Sequence, residues 1–436
     1  MPVNTTTRSA HPCPGTGTGR ENRMRRHRAR LLQLTAASAV TALAVAACSS
    51  GNASSTSTNG SNPIVIGFTE PLTGSFSADG RASLRGYQLW ASDVNSHGGL
   101  LGRPVRLEYL NDNSDPNQVT KDYTKLISQD RVALTLAPFS SLLTQPAGVV
   151  TRKYGYVLPE GSGTAPTIYQ MKDPDLFGVS APVEDQLVPF ADWVDALPAS
   201  ERPKTAAYPM VSDPFADPPV QRAQQILQAH GVHTVYPAHA INASNLVPFA
   251  DAVAAKNPQL VVLGSVDVPT VLAFIHEWEI KKFYPEMFIA TSGPDQGAEF
   301  LNHVDSANAE AIMVPDGWYG GEPNALSHVM VQDYIAKYGG TTSGINADVA
   351  EAYSAGQMLA DGITGTHSTD NRAIAAYLHS HSMQTVQGPA RFSSDGANLK
   401  AQKFIFQWQN GQFLQVLGGS GSATIERIKP HWQGGG

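Results

Sequence analysis

The chain has 436 residues, of which 42% are hydrophobic and 15% are charged, so it can bury a sizeable core and is not a disordered protein. Residues 1–47 carry seven Arg and one Glu, which leaves 23 basic and 36 acidic residues in the remainder, a net charge of −13. Such acidity argues against a nucleic-acid partner, because phosphate backbones are bound by clustered Lys and Arg. Two cysteines, Cys13 and Cys48, exclude a disulfide framework and a multi-cysteine metal site, and we predict neither a metal nor a cofactor.

The N-terminal 47 residues have the pattern of a secretory signal peptide. The basic run Arg25–Arg30 precedes the uncharged stretch Leu31–Ala47, which is short for a membrane-spanning helix and rich in small residues. The sequence before Cys48 resembles the lipobox of bacterial lipoproteins, in which the Cys is lipidated after cleavage on its N-terminal side. We predict a signal peptide over 1–47, with Met24 as a possible start, and a lipidated Cys48 followed by a flexible tether to residue 62. A plain secretory signal is the alternative.

Beyond the tether, strand and helix patterns alternate. The first strand is predicted at Pro63–Phe68, a loop at 69–79, and the first helix from Arg81 to the Gly98-Gly99 pair. Further strands are predicted near 105–110, 132–137, 156–159, 204–209, 233–236, 259–264, 287–290 and 311–314, and helices near 117–127, 142–153, 184–196, 217–230, 246–256, 269–280 and 296–303. Continuous apolar runs such as Leu260–Leu263 are typical of parallel strands covered on both faces. The pattern therefore predicts an α/β protein with open, doubly wound sheets.

The order of elements changes after about residue 315. Helices are predicted near 325–338, 347–365 and 371–381, followed by a hairpin whose strands, 403–408 and 412–417, flank the turn Asn410-Gly411. These late segments must return to layers that the earlier elements have already built.

Catalytic patterns are weak throughout the chain. The sequence around Ser354 imitates a nucleophile elbow, but that motif requires a preceding strand, and residues 347–359 favour a helix. The thirteen His residues include no HExxH motif. We therefore predict that the protein is not an enzyme, and keep an esterase as the weakest alternative.

Two hydroxyl-rich loops follow early strands, at the sheet edge where open α/β proteins bind ligands. Phe139-Ser140-Ser141 opens one helix, and Ser162-Gly163-Thr164 follows the next strand. Hydroxyls and free N–H groups at a helix N-terminus favour an anion, so the two loops could hold one carboxylate. Ser141 and Thr164 could instead cap their own helices.

An ordered set of motifs resembles the type I periplasmic binding proteins of branched-chain amino acid ABC transporters. The resemblance runs from residue 63 to about 417, and its motifs are Pro71-Leu72-Thr73-Gly74, Arg85-Gly86, Gly98–Arg103, Asp112…Asp115-Pro116, the two hydroxyl loops, Asp213-Pro214-Phe215, the helix segment 353–363 and Gly388–Phe392. It implies two Rossmann-like lobes joined by three crossovers, which close on a ligand by a hinge motion. The first lobe would comprise 63–179 and about 315–395, and the second 180–314 and about 396–425.

The resemblance also implies site residues. The ligand carboxylate would be held by Ser140 or Ser141 with Ser162, Gly163 and Thr164, with Phe139 and Phe215 against the ligand. The acidic residue that pairs with the α-ammonium in the family aligns near Ser292, and a family tyrosine aligns near Val266, so both positions depart from the pattern. Asp267 and Asp295 are nearby substitutes, although each could be a helix N-cap.

We predict a monomeric, extracytoplasmic solute-binding lipoprotein, anchored to the membrane by lipid, that delivers a small carboxylate-bearing ligand to an ABC permease. A branched-chain amino acid is the favoured ligand. A non-amino carboxylate or amide, aromatic or aliphatic, is the first alternative, and a ligand sensor for a membrane receptor is the second.

Overall fold

The computed structural model describes residues 62–242, 244–419, 423–425 and 429. The predicted signal peptide, the lipidation site at Cys48 and the tether up to residue 61 lie outside the described residues. Among the helices within those ranges, none combines the length and the apolar composition needed to cross a bilayer.

The first lobe begins with a small parallel sheet flanked by helices. Its elements are β1 (Ile64–Glu70), α1 (Ser77–Ser96), β2 (Val105–Asn111), α2 (Pro116–Ser128), β3 (Leu134–Thr135), α3 (Ser141–Tyr154), β4 (Leu158–Glu160), α4 (Pro166–Gln170) and β5 (Leu176–Gly178). Strands β2, β1 and β3 pair in that order, and β4 pairs with β5 in parallel. The Ala137 N–H donates to the Pro159 carbonyl at 3.0 Å, which joins the two groups of strands into one layer.

The second lobe has a larger mixed sheet. Its first elements are α5 (Val188–Ala196), β6 (Thr205–Val211), α6 (Asp217–Ala229), β7 (His233–Ile241), α7 (Val247–Lys256), β8 (Leu260–Leu263), α8 (Val268–Lys281), β9 (Met287–Ala290), α9 (Ala298–Leu301), α10 (Ser306–Ala309) and β10 (Ile312–Asp316). The strand order is β14-β13-β10-β9-β8-β6-β7, in which β13 and β14 are the predicted hairpin and β13 is antiparallel to both of its neighbours, β10 and β14.

The late segments return to both lobes. Helices α11 (Ala325–Tyr338), α12 (Ala347–Thr366) and α13 (Asn371–Ser380) and the short pair β11 (Met383–Thr385) and β12 (Gly388–Ala390) cover the first lobe, and β13 (Phe404–Gln409) and β14 (Gln412–Leu417) complete the second sheet. The chain therefore passes between the lobes three times, after β5, after β10 and after β12.

The structure corrects several details of the predicted elements. Helix α1 begins at Ser77, inside the segment predicted as a loop, and the helix predicted at 184–196 is a 3₁₀ turn at Val183–Asp185 followed by α5, since Pro189 suits a helix start. Strands β5, β11 and β12 have only three residues each, too short for a periodic signal, and were not predicted.

Helix α12 packs closely on α1 within the apolar core of the first lobe. A Cβ atom at Gly86 of α1 would lie 2.3 Å from the Val349 carbonyl oxygen of α12, a distance that real Cβ atoms do not show. Glycine is therefore required for this approach. The contact fixes the N-terminal half of α12 against the first sheet, which matters for the side chains that this half of the helix carries.

Candidate ligand-binding site

One cavity lies between the two lobes and takes residues from both. Its volume is about 450 Å³, counting the part open to solvent. The cavity is lined by Phe139, Ser140, Ser162, Thr164, Gln186, Phe215, Val266, Thr291, Ser292, Asp295, Pro315, Asp316, Asp348 and Glu351. A concave cleft between two lobes is a common place for a small molecule to bind.

The loop before α3 presents one free hydroxyl to this cavity. Ser140 is 2% exposed, does not cap its own helix, and has a buried Oγ without a hydrogen-bond partner. The Oγ of the next residue, Ser141, accepts a hydrogen bond from the Ala165 N–H at 3.1 Å, so it joins the two loops and does not line the cavity. The Phe139 N–H points inward, to Glu70 Oε2 at 3.3 Å.

The second loop combines a free hydroxyl with a supporting backbone. Thr164 is 2% exposed and its Oγ1 has no partner, whereas Ser162 Oγ donates to Glu351 Oε2 at 2.6 Å. The Gly163 N–H donates to the buried Glu160 Oε2, away from the cavity. A Cβ at Gly163 would lie 2.8 Å from the Thr144 side chain, so this glycine is required by the packing of the loop on α3. The free hydroxyls of Ser140 and Thr164 are thus the two donors that the loops present.

The second lobe contributes an acidic group to the cavity. The sequence offers two candidates for it, Asp267 and Asp295. Asp295 lines the cavity, and its Oδ1 accepts from the Gly293 N–H at 2.6 Å and from Ser292 Oγ at 3.2 Å. Asp267 instead caps α8, since its Oδ1 accepts from the Thr270 N–H at 2.8 Å, and it does not line the cavity. Of the two candidates, Asp295 is therefore the one that lines the cavity, together with Phe215.

Three carboxyl groups in the cavity were not predicted from the sequence: Asp316, Asp348 and Glu351. Asp316 ends β10 and could have been found by the rule that led to the hydroxyl loops, since it lies at the carboxyl end of a strand. Asp348 and Glu351 lie three residues apart at the start of α12 and face one side of the helix. Only the packing of α12 on the first lobe brings them to the cavity.

Burial and mutual repulsion raise the pKa values of these groups. Burial raises the pKa of Asp295 to about 6. Burial, with the charge of Asp295 adding to it, raises the pKa of Glu351 to about 7. The pKa values of Asp316 and Asp348 are raised well above the ordinary range, first by burial and then by neighbouring carboxylates.

Glu351 also connects the cavity to the first passage between the lobes. Its Oε1 accepts from Ser180 Oγ at 3.2 Å, and Gln387 Nε2 donates to the same hydroxyl at 2.9 Å. Ser180 follows β5, and Gln387 lies in the turn between β11 and β12. One carboxyl group is therefore shared between the cavity wall and the segments that join the lobes.

The polar and aromatic groups that line the cavity can bind a small molecule. Ser354 lies inside α12, without the preceding strand that a nucleophile elbow needs. Within the ranges that the structure describes, no group of three or more His, Cys, Asp or Glu residues is placed to hold a metal ion. The cavity offers carboxyl oxygens, two free hydroxyls and aromatic surface, which can hold a small polar molecule.

Comparisons with known sequences find binding proteins among the relatives of this chain. The family model described as "Periplasmic binding protein" matches residues 63–412. A curated amino acid binding protein of Pseudomonas aeruginosa is 22% identical over 363 residues, covering 81% of this chain and 92% of its own length. A Leu/Ile/Val-binding protein of Rhizobium johnstonii is 30% identical over 105 residues, 24% of this chain and 28% of its own.

Solved structures confirm the predicted fold. A solute binding protein of an ABC transporter from R. palustris, in complex with benzoate, has a TM-score of 0.70 at 17% identity and covers 85% of this chain and 99% of its own. The branched-chain amino acid transporter substrate binding protein LivJ of Streptococcus pneumoniae, in complex with isoleucine, has a TM-score of 0.70 at 18% identity and covers 81% of this chain and 98% of its own.

Proposed function

The chain belongs to the periplasmic binding protein family, and on that premise we propose that it is an extracytoplasmic solute-binding component of an ABC importer, which captures an amino acid by closure of its lobes. The observation that carries this proposal is a cavity lined by first-lobe residues such as Ser140 and second-lobe residues such as Asp295. A ligand that contacts both sides stabilises the closed form, and this differential affinity is what drives closure.

In this proposal the two ends of the ligand meet different lobes. The free hydroxyls of Ser140 and Thr164 donate to the ligand carboxylate, and Asp295 accepts from its α-ammonium. Ser292, the position that departs from the family pattern, orients Asp295 by hydrogen bonding. That the ligand has a branched-chain side chain stays a prediction. It is supported by the Leu/Ile/Val-binding relative, whose match covers 24% of this chain.

Thermal melting of the full chain with a panel of amino acids and carboxylates tests the proposal. A ligand at about 100 times its dissociation constant stabilises the fold by about 2.7 kcal/mol, which moves the melting temperature measurably. Ser140→Ala combined with Thr164→Ala should abolish the shift, and Ser128→Ala, an exposed serine on α2, is the control. Undiminished binding in the double variant would contradict the carboxylate assignment.

An aromatic carboxylate is the second candidate ligand. Phe139 and Phe215 both line the cavity, and the R. palustris protein named above was solved with benzoate. Benzoate and 4-hydroxybenzoate therefore belong in the same panel. A shift with these acids and none with any amino acid would favour this candidate and leave Asp295 without an ammonium partner.

We also propose that Cys48 anchors the protein to the outer face of the cell membrane through a lipid. The family name implies a location outside the cytoplasm, and the sequence before Cys48 supports lipidation. Cys48→Ala should move the protein from the membrane fraction to the soluble fraction. Retention of the variant in the membrane would contradict the anchor while leaving the binding role intact.

A further inference from the structure

The cavity is strongly one-sided in charge. Asp295, Asp316, Asp348 and Glu351 all line it, and the lining residues within the described part of the chain include no Lys, Arg or His. An α-ammonium group neutralises one of these carboxylates only. An amino acid with an apolar side chain would therefore leave several buried carboxyl groups without a cationic partner, so that each must stay protonated or bear the cost of a buried charge.

Two carboxyl oxygens in this wall lack any hydrogen-bond partner. Asp316 and Asp348 are each 8% exposed, and the Oδ2 of each is buried and unpartnered. In Asp316 the other oxygen accepts from the Gly317 and Trp318 N–H groups, at 2.5 and 3.1 Å, which fixes the direction of the carboxyl group. Glu351 differs, since both of its oxygens accept from serine hydroxyls. Free acceptor capacity is therefore concentrated in Asp316 and Asp348.

These two aspartates come from opposite lobes. Asp316 ends β10 in the second sheet, whereas Asp348 lies in the first turn of α12, which packs on α1. Neighbouring carboxylates oppose the ionisation of both: after burial, Asp79, Glu351, Asp295 and Asp316 raise the pKa of Asp348, and Asp295 and Glu351 raise that of Asp316. A cation between the two aspartates would remove this repulsion and would favour closure of the lobes.

We propose, resting on the proposed function, that the ligand is a basic amino acid or a close relative, whose second protonated nitrogen group, ammonium or guanidinium, lies between Asp316 and Asp348. The hydroxyls of Ser140 and Thr164 and the carboxyl of Asp295 then hold the α-carboxylate and the α-ammonium. Phe139 and Phe215 contact the methylene chain, since long basic side chains pack their stems on apolar surface.

Isothermal titration of the full chain at pH 7.5 with matched ligand pairs tests this inference. L-Lysine is compared with L-norleucine and L-arginine with L-citrulline, since each pair has similar length and differs in side-chain charge. We expect the charged member to bind at least 30-fold more tightly. Equal or tighter binding of norleucine, citrulline, leucine or benzoate would overturn the inference and leave the solute-binding role standing. Absence of binding by any of these ligands would count against the proposed function, and the inference would fall with it.

Variants in which asparagine replaces a single aspartate test which carboxyl groups recognise the charged side chain of the ligand. Asp316→Asn and Asp348→Asn should each weaken lysine at least tenfold and norleucine less than threefold, and Asp192→Asn, an exposed residue of α5, should change neither. Equal losses for both ligands would mean that the aspartates only shape the cavity, which overturns the assignment. Calcium chloride is titrated in parallel, and displacement of lysine by calcium would assign the carboxyl groups to a metal ion instead.

Discussion

Glu70 and Glu160 lie beneath the two hydroxyl loops, whereas Asp316 and Asp348 line the cavity itself, and the two pairs differ in what their oxygens contact. Glu70 accepts from Ser83 Oγ at 2.6 Å and from the Phe139 N–H, and Glu160 accepts from the Gly163 N–H and from the Tyr169 hydroxyl at 3.4 Å. Each of the cavity aspartates has an unpartnered oxygen.

Burial alone therefore does not separate the carboxyl groups that hold the loops from those that line the cavity. All four groups are less than a tenth exposed, and burial raises the pKa of each. Glu70 and Glu160 are the acceptors that hold the loops in place, and Asp316 and Asp348 face a space where a ligand can complete their hydrogen bonding. Variants of the two pairs should consequently have opposite effects.

The largest expected effect is a loss of stability in Glu160→Ala. The change leaves the Gly163 N–H and the Tyr169 hydroxyl without an acceptor and opens a cavity, so we expect a loss of about 2–4 kcal/mol in the free energy of unfolding. Glu160→Gln keeps one acceptor and should cost less than about 1 kcal/mol. Urea unfolding of the full chain measures both, and an equally stable alanine variant would remove the distinction between the two pairs.

Asp348→Asn should instead stabilise the unliganded protein. The variant removes a group whose ionisation burial and four neighbouring carboxylates oppose, so we expect a gain of about 1–2 kcal/mol at pH 8. The gain should be smaller at pH 5, because the cost of a raised pKa accumulates as the pH rises above the ordinary pKa of an aspartate. Urea titrations at both pH values, with Asp192→Asn as the control, measure it. A loss of stability at pH 8 would show that the group is structural.

Unliganded wild-type protein should lose stability as the pH rises from about 4 to about 8. Carboxyl groups with raised pKa values bind more protons in the folded protein than in the unfolded chain, so their contribution is fully present at low pH. It is lost as the pH passes the folded pKa values, about 6 for Asp295, about 7 for Glu351 and about 8 for Glu160. Melting temperatures across this range should therefore fall, with a shallower slope in Glu351→Gln. A melting temperature that rises over the range would contradict the prediction.

The smallest expected effects are on the free energy of unfolding, in variants of two buried hydroxyls, Thr164 and Ser141. Thr164→Val removes an unpartnered buried hydroxyl, so it should raise the free energy of unfolding by about 0.5–1 kcal/mol while weakening the ligand. Ser141→Ala leaves the Ala165 N–H without its acceptor and should lower it by about 1 kcal/mol. Urea unfolding and titration of the same samples separate the two roles. A valine variant that binds normally would exclude Thr164 from the site.

The sequence predicts the elements of the fold well because their apolar patterns are local. Strand β9 has the predicted bounds. The observed bounds of helices α11 and α12 differ from the predicted bounds by one residue at most. The loops with Ser140 and Thr164 were predicted because each directly follows a strand. Asp348 and Glu351 were not, because their place in the cavity depends on a helix that returns across more than 150 residues of chain. Gln186, in the first passage between the lobes, has no local signal either.

The hydrogen bond from Ser180 to Glu351 ties the cavity wall to the chain segment that leaves the first lobe. The carboxyl group that lines the cavity also holds the segment where the chain first leaves the first lobe, and Gln387 braces the same serine. A ligand that draws charge from Glu351 changes how firmly that segment is held. A molecule bound against Glu351 would therefore also act on the contact that holds the first passage between the lobes, a single hydroxyl–carboxylate hydrogen bond.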